Sequence, residues 1–144
     1  MKSVFAKNEK EIEEILENFK DELPILRTSF EYRKSMSEKF FAHGKVLIIE
    51  NDEVPIAFSA FYANDLMSKN AYISFIAVQK KYSKCGIGTN LMAKVCECSK
   101  QYGMEKIRLE VYNDNLPAIG FYKKNGFEIE GGRTEKGFYM VKIL

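Results

Sequence analysis

The apolar residues change period once between residues 72 and 102, and that change constrains the fold more than any other feature of the chain. Tyr72–Val78 is apolar almost throughout, the pattern of a strand covered on both faces. From Ile87 onward, Ile87, Leu91, Val95, Cys98 and Tyr102 fall four, four, three and four residues apart, and Gly103 follows. That is the stripe and the stop of an amphipathic helix. A buried strand that passes through a glycine-bearing turn into such a helix begins a sheet with helices packed on it. All-α and all-β architectures are excluded.

The flanking sequence adds the other layers. Ser3–Ala6 reads as an opening strand, and Asn8 as the N-cap of a helix over Glu9–Lys20 with Ile12, Ile15, Leu16 and Phe19 on one stripe. Pro24 interrupts, and a second helix is expected from about Phe30 to Ala42, ended by Gly44. Lys45–Glu50 and Ile56–Tyr62 are strand-like runs joined by the turn Asn51-Asp52-Glu53. Ile107, Leu109 and Val111 alternate with Arg108, Glu110 and Tyr112, which predicts a half-buried strand. Pro117 opens a short helix that Gly126 closes, and Phe127–Glu130 and Phe138–Ile143 make a last pair of strands around Gly131-Gly132. The sum is α/β or α+β: a mixed sheet with helices on it, in three layers.

Length and charge narrow the function. The 144 residues, without repeat or linker, predict one domain over 1–144. Hydrophobic residues at 46% and charged residues at 29% exclude a disordered or collagen-like chain. Apolar runs such as Val46–Ile49 are too short to span a membrane, and acids enter the N-terminus too early for a signal peptide. Three cysteines without framework spacing fit a reducing cytoplasm. Twenty-two basic and twenty acidic residues leave +2, which does not argue for a nucleic-acid partner. The distribution is uneven: Leu66 to Cys96 holds no acid but holds Lys69, Lys80, Lys81, Lys84 and Lys94. Either a small anionic ligand or a solvated lysine-rich turn accounts for that zone.

The strand-to-helix turn carries the chemistry. It reads Gln79-Lys80-Lys81-Tyr82-Ser83-Lys84-Cys85-Gly86-Ile87-Gly88-Thr89. Glycines let a backbone approach a ligand closely, and the first N–H groups of a helix favour an anion. By that logic the turn is a phosphate cradle. A dinucleotide fingerprint is excluded because Leu91 stands where a third small residue is needed, and no P-loop spacing is present. Gly-Ile-Gly by itself is equally the signature of a tight turn.

Downstream stands Asn115-Leu116-Pro117-Ala118-Ile119-Gly120-Phe121-Tyr122-Lys123-Lys124-Asn125-Gly126-Phe127. Together the two segments, from about Tyr72 to Phe127, resemble the GNAT superfamily of acetyl-CoA-dependent N-acetyltransferases. The later family pattern, Asn-x-x-Ala-x-x-Phe/Leu-Tyr-x-x-x-Gly-Phe, is met at Asn115, Ala118, Phe121, Tyr122, Gly126 and Phe127. The cofactor-loop pattern, Arg/Gln-x-x-Gly-x-Gly/Ala, is met at Gly86 and Gly88 and departs at Ser83.

The resemblance implies a mostly antiparallel central sheet of about six to seven strands, with a V-shaped opening between two central strands. It implies that acetyl-CoA lies in that opening, its pantetheine paired with backbone groups of Ile76, Ala77 and Val78. The pyrophosphate would rest on N–H groups of Lys84, Cys85, Gly86, Ile87, Gly88 and Thr89, with Lys84 or Lys81 compensating for Ser83. Asn115 would hydrogen-bond the pantetheine, an N–H near Ile76 would polarise the thioester, and Tyr122 would protonate the departing thiolate.

An amine acceptor also needs a base. Glu110, twelve residues before Tyr122 and off the core-facing set of its strand, is the candidate; Asp65 and Tyr62 are weaker rivals. Some family members that acetylate protein N-termini use a glutamate at that place, and a solvated strand glutamate is the alternative reading. A primary amine of a small molecule, an amino sugar, a polyamine or another metabolite amine, is the expected acceptor, entering beside the first helices past Pro24–Phe30 and the Arg133–Gly137 loop. A protein N-terminus or lysine, and a non-catalytic CoA-binding module, are the rivals. Monomer and homodimer stay open. No metal is expected: Cys96 and Cys98 point apart on one helix, and His43, the only histidine, sits at a helix end. Cys85 has no neighbour to orient it as a nucleophile.

Overall fold

The computed structural model describes all residues, Met1–Leu144. Its elements in chain order are β1 (Lys2–Phe5), α1 (Glu9–Asn18), α2 (Phe30–His43), β2 (Lys45–Asn51), β3 (Val54–Tyr62), β4 (Asn70–Val78), α3 (Ile87–Gln101), β5 (Lys106–Tyr112), α4 (Leu116–Lys124), β6 (Glu128–Ile129) and β7 (Gly137–Ile143). Short 3₁₀ turns fill Pro24–Arg27 and Lys80–Tyr82. One seven-stranded sheet runs in the order β1-β2-β3-β4-β5-β7-β6, antiparallel everywhere except between β4 and β5.

Local chemistry sets the element ends. The Asn8 side chain accepts from the Glu11 N–H and the Ser29 side chain from the Tyr32 N–H, capping α1 and α2. Asp52 and Glu53 take positive φ angles of 52° and 66°, which closes the β2–β3 hairpin with a two-residue turn whose twist matches the strands.

The sheet is buried on both faces by different helices. Ile12, Ile15, Leu16 and Phe19 of the first helical segment, with Phe40 of α2, cover Val46, Ile48, Phe58 and Ala60. Phe19 meets Phe58 ring to ring at 4.9 Å. On the other face Leu91, Met92 and Val95 of α3 and Ile119 of α4 pack on Leu47, Ile73, Ile107, Leu109 and Met140. Each fully buried large side chain contributes about 1.5–3 kcal/mol. The three layers expected from the sequence are present.

The parallel junction positions the site. β4 and β5 pair only over Asn70–Tyr72 and Lys106–Arg108. Beyond Tyr72 no residue of β5 pairs with β4, so the two strands diverge and leave the V-shaped opening. On its other side β4 stays paired with β3 as far as Val78.

Candidate active site

The opening exposes one edge of β4, and strand parity decides which residues own it. The Gln79 N–H donates to the Ile56 carbonyl of β3, and Val78 faces Ala57 in register. Backbone groups alternate sides along a strand. Ile76 and Val78 therefore turn their N–H and C=O groups into the opening, and Ala77 turns its groups toward Phe58 of β3. This corrects the expectation for Ala77, whose backbone is committed to the ladder. An extended ligand arm laid along this edge finds Ile76 and Val78 alone.

The edge leads into the loop before α3. Ser83 N–H donates to the Lys80 carbonyl and Cys85 N–H to the Tyr82 carbonyl, which winds the loop into consecutive turns. Cys85 is therefore a second correction, because its N–H is already used. The first intrahelical bond of α3 runs from the Asn90 N–H to the Gly86 carbonyl at 3.1 Å. The N–H groups of Gly86, Ile87, Gly88 and Thr89 precede it, and no side chain caps them. Four converging donors at a helix start, with Lys84 beside them, form an anion cradle. Lys81 stands over the Tyr82 ring at 5.3 Å, whereas Lys69 lies at the far end of β4 and takes no part. Behind the loop, between β1 and the first turns of α3, a groove of about 390 Å³ adds Lys2 and Lys94 to the positive surround.

The two glycines do different work. Gly86 holds φ at +76°, and a Cβ there would meet nothing within 4 Å. Glycine is needed at this position for the left-handed backbone. At Gly88 a Cβ would stand 3.1 Å from the Phe121 ring and 3.6 Å from the Val78 side chain. Here glycine is needed for a close approach, and the partner is α4. The pair Gly88–Phe121, not singled out by the sequence motifs as a contact, brings the second motif segment onto the cradle.

Tyr122 follows Phe121 and packs between Phe121 and Phe127, at ring distances of 5.6 Å and 5.8 Å. It belongs to the core on the α3–α4 face. Burial pushes its hydroxyl up from 10.0 to about 12, so the phenol keeps its proton at any working pH. Asn115 caps α4, its side chain accepting from the Ala118 N–H at 3.3 Å. Its amide nitrogen is left to donate elsewhere.

Glu110 lies on the opposite face of the sheet. Ile107, Leu109 and Val111 are buried toward α3 and α4, while Arg108 and Glu110 are half-buried on the α1–α2 side. Glu110 faces Tyr139 across the β5–β7 ladder. Arg108 donates to Glu130 at 2.6 Å and stacks on the Tyr139 ring at 4.3 Å. Asp65 is occupied elsewhere: it accepts from the Met67 and Ser68 N–H groups and from the Ser68 hydroxyl, which hold its carboxyl below the usual range. Tyr62 packs on Phe40 at 5.6 Å. Tyr72, which the periodicity alone does not single out, shares the face of Glu110. Its signal was parity with the alternating residues of the strand.

The buried, protonated Tyr122 phenol thus lies on the α3–α4 face of the sheet and Glu110 on the α1–α2 face, and the open edge of β4 leads to the uncapped N–H groups of Gly86–Thr89. The profile of the acetyltransferase (GNAT) family matches residues 11–127. The chain belongs to the GNAT acetyltransferase family.

Among relatives, the L-amino acid N-acetyltransferase AaaT of Escherichia coli is 35% identical over 78 residues, covering 47% of this chain and 48% of the relative. An N-alpha-acetyltransferase of Sulfurisphaera tokodaii is 32% identical over 102 residues, covering 68% of this chain and 61% of the relative. The chain thus spans between about half and three fifths of the length of these two curated relatives. In fold it is similar to PaiA N-acetyltransferase of Thermoplasma acidophilum, solved in complex with coenzyme A, with a TM-score of 0.79, 20% identity and full coverage of both chains. It is also similar to the IAA acetyltransferase of Bacillus cereus, with a TM-score of 0.75, 18% identity, and coverage of 99% of this chain and 100% of that one. No helix is long and apolar enough to cross a membrane, and no three His, Cys, Asp or Glu side chains come together as metal ligands.

Proposed function

We propose that this GNAT protein transfers an acetyl group from acetyl-CoA to a primary amine by direct attack in a ternary complex. The observation that carries the reading is the unpaired edge of β4 beyond Tyr72, which ends on the four uncapped N–H groups of Gly86–Thr89. The pantetheine pairs with Ile76 and Val78, and the diphosphate rests on the cradle with Lys84 nearby. Asn115 donates to the arm from the α4 side. An N–H of β4 polarises the thioester carbonyl as negative charge develops on oxygen.

The two faces of the sheet divide the proton work. The amine arrives from the α1–α2 side, where Glu110 serves as base. Tyr122, on the α3–α4 side, gives its proton to the leaving thiolate. A small-molecule amine is the first reading of the acceptor. The α-amine of a polypeptide is the second, favoured by Glu110 on the acceptor face and by the N-alpha-acetyltransferase named among the relatives. Three unpaired cysteines, one of them the exposed Cys85, are compatible with a reducing compartment such as the cytoplasm, where the reaction is proposed to run.

Acetyl-CoA is expected to raise the melting temperature. Gly86→Ala introduces the left-handed strain alone, whereas Gly86→Asp adds a carboxylate to the cradle. Ala should keep most of the ligand shift and Asp should abolish it. A shift unchanged in Gly86→Asp removes the cradle assignment. A thiol-release assay over amino sugars, small amines, amino acids and peptides then reports the acceptor, and a shift without release from any amine identifies a binding module instead.

A further inference from the structure

Ser37, Ser59 and Ser99 are the polar residues shut away completely inside the protein. A hydroxyl taken from water into an apolar core costs free energy unless it finds a partner. Ser37 bonds the Arg33 carbonyl one turn back on α2, a local bond of a kind helices often make, and the Ser99 hydroxyl has no partner. Ser59 alone reaches across to another element. It sits in the run Ala57-Phe58-Ser59-Ala60-Phe61 of β3, on the same face as Ala57 and Phe61. Its hydroxyl donates to the Phe75 carbonyl of β4 at 2.9 Å. An alanine, like Ala57 and Ala60 beside it, would fill the place without a polar atom to bury. What the serine adds is the bond to Phe75.

That carbonyl lies where β4 departs from regular pairing. Ala60 faces Phe75 and Phe61 faces Ile73, so Ser74 has no partner on β3 and forms a bulge. A bulge disrupts the ladder locally and bends the strand. The peptide between Phe75 and Ile76 is trans, so its C=O and its N–H point to opposite edges of β4. The C=O turns to β3 and meets Ser59. The N–H turns into the opening beside β5. Ser59 thus grips one end of a peptide whose other end faces the site. A bond accepted by the carbonyl fixes the peptide plane and draws electrons from its nitrogen, which makes the N–H a stronger donor.

We propose that Ser59 is a positioning residue for acyl transfer: through the Phe75 carbonyl, its hydroxyl aims and strengthens the Ile76 N–H that polarises the thioester carbonyl. The proposal rests on the acetyl-transfer reading above and takes the Ile76 N–H as the polarising group. Ser59 is closed off from solvent and reaches no ligand itself.

The test uses the full chain with acetyl-CoA isotope-labelled at the thioester carbonyl. Infrared difference spectra read the carbonyl stretch of the bound ligand, with no amine present. In the parent the stretch should lie below that of free acetyl-CoA. In Ser59→Ala it should return toward the free position by roughly 10–30% of the parent's shift, the share one bond adds to its neighbour in a chain. With the best amine of the wild-type panel, kcat should fall on the order of 10-fold, less than the roughly 10²–10³-fold of deleting an oxyanion donor outright. The Kd for acetyl-CoA should stay that of the parent. Ser37→Ala removes a buried hydroxyl bond of 2.8 Å from α2 and should move neither the stretch nor kcat, which separates positioning from a general loss of stability. A parent stretch at the free position, a Ser59→Ala stretch or kcat equal to the parent's, or an equal fall of kcat in Ser37→Ala would each overturn the role of Ser59 while leaving acetyl transfer standing. A parent that releases thiol with no amine overturns both.

Discussion

Tyr122→Phe separates what the hydroxyl does for catalysis from what it does for stability. The ring contacts with Phe121 and Phe127 survive the change. Near pH 8 the variant should therefore unfold within about 0.5 kcal/mol of the parent. Alkaline pH should part them. The folded phenol is raised from 10.0 to about 12, so the stability tied to its buried neutral form is fully present below pH 10. It is lost as pH rises from 10 to 12, because the unfolded phenol ionises there and the folded one does not. Two units at 1.36 kcal/mol each amount to about 2.7 kcal/mol, and at pH 11 roughly half of it, about 1.4 kcal/mol, is gone. A domain of this size converts that into a melting-temperature gap of about 3–6 °C in favour of Phe at pH 11. Acetyl transfer at pH 8 should meanwhile fall about 10²- to 10⁴-fold with acetyl-CoA affinity unchanged. Paired thermal melts at pH 8 and 11, with a thiol-release assay, measure all of this. Wild-type turnover in the variant would refute the acid role, and coincident melts at pH 11 would refute the burial argument.

Two further changes probe the scaffold. Gly88→Val drives a side chain into the Phe121 ring, whose edge already lies 3.1 Å from the position of a Cβ; it should cost about 1–3 kcal/mol and weaken the acetyl-CoA shift, and Phe121→Leu in the same chain should restore part of both. Phe58→Ala removes a fully buried ring from the contact with Phe19; a loss of about 3–5 kcal/mol should appear in urea unfolding, with the ligand shift of the folded protein preserved.

Most of the fold was legible because each element carries its own local signal. The Asn8 cap, the Gly44 and Gly103 stops and the Pro117 start fall within two residues of the observed ends. The period change from β4 to α3 gave the central βα unit directly. Less legible was the last pair of strands, where β6 is only Glu128–Ile129 because few residues of that edge find a partner on β7. The sequence could not show where β4 and β5 part, since pairing ends at Tyr72 for reasons of twist and packing rather than of composition.

The site divides along the same line. Its proposed phosphate end is made of backbone donors, and backbone geometry leaves a trace in sequence as glycines at fixed spacing, so the uncapped helix start at Gly86–Thr89 was legible as a turn. What the letters could not separate was a glycine that bends the chain from one that admits a neighbour. Gly86 and Gly88 look alike in sequence, yet one serves φ and the other serves Phe121. Ala77 and Cys85 failed as ligand groups for a related reason, because which way an N–H points depends on its partner strand or turn. The α1–α2 face of the sheet is made of side chains drawn from separate strands: Tyr72, Glu110 and Tyr139 are far apart in sequence and are brought to one face only through the β4–β5–β7 register. No single segment carries that constellation. Substitution on that face of the three strands therefore leaves the packing of Tyr122 against the α3–α4 core on the other face untouched.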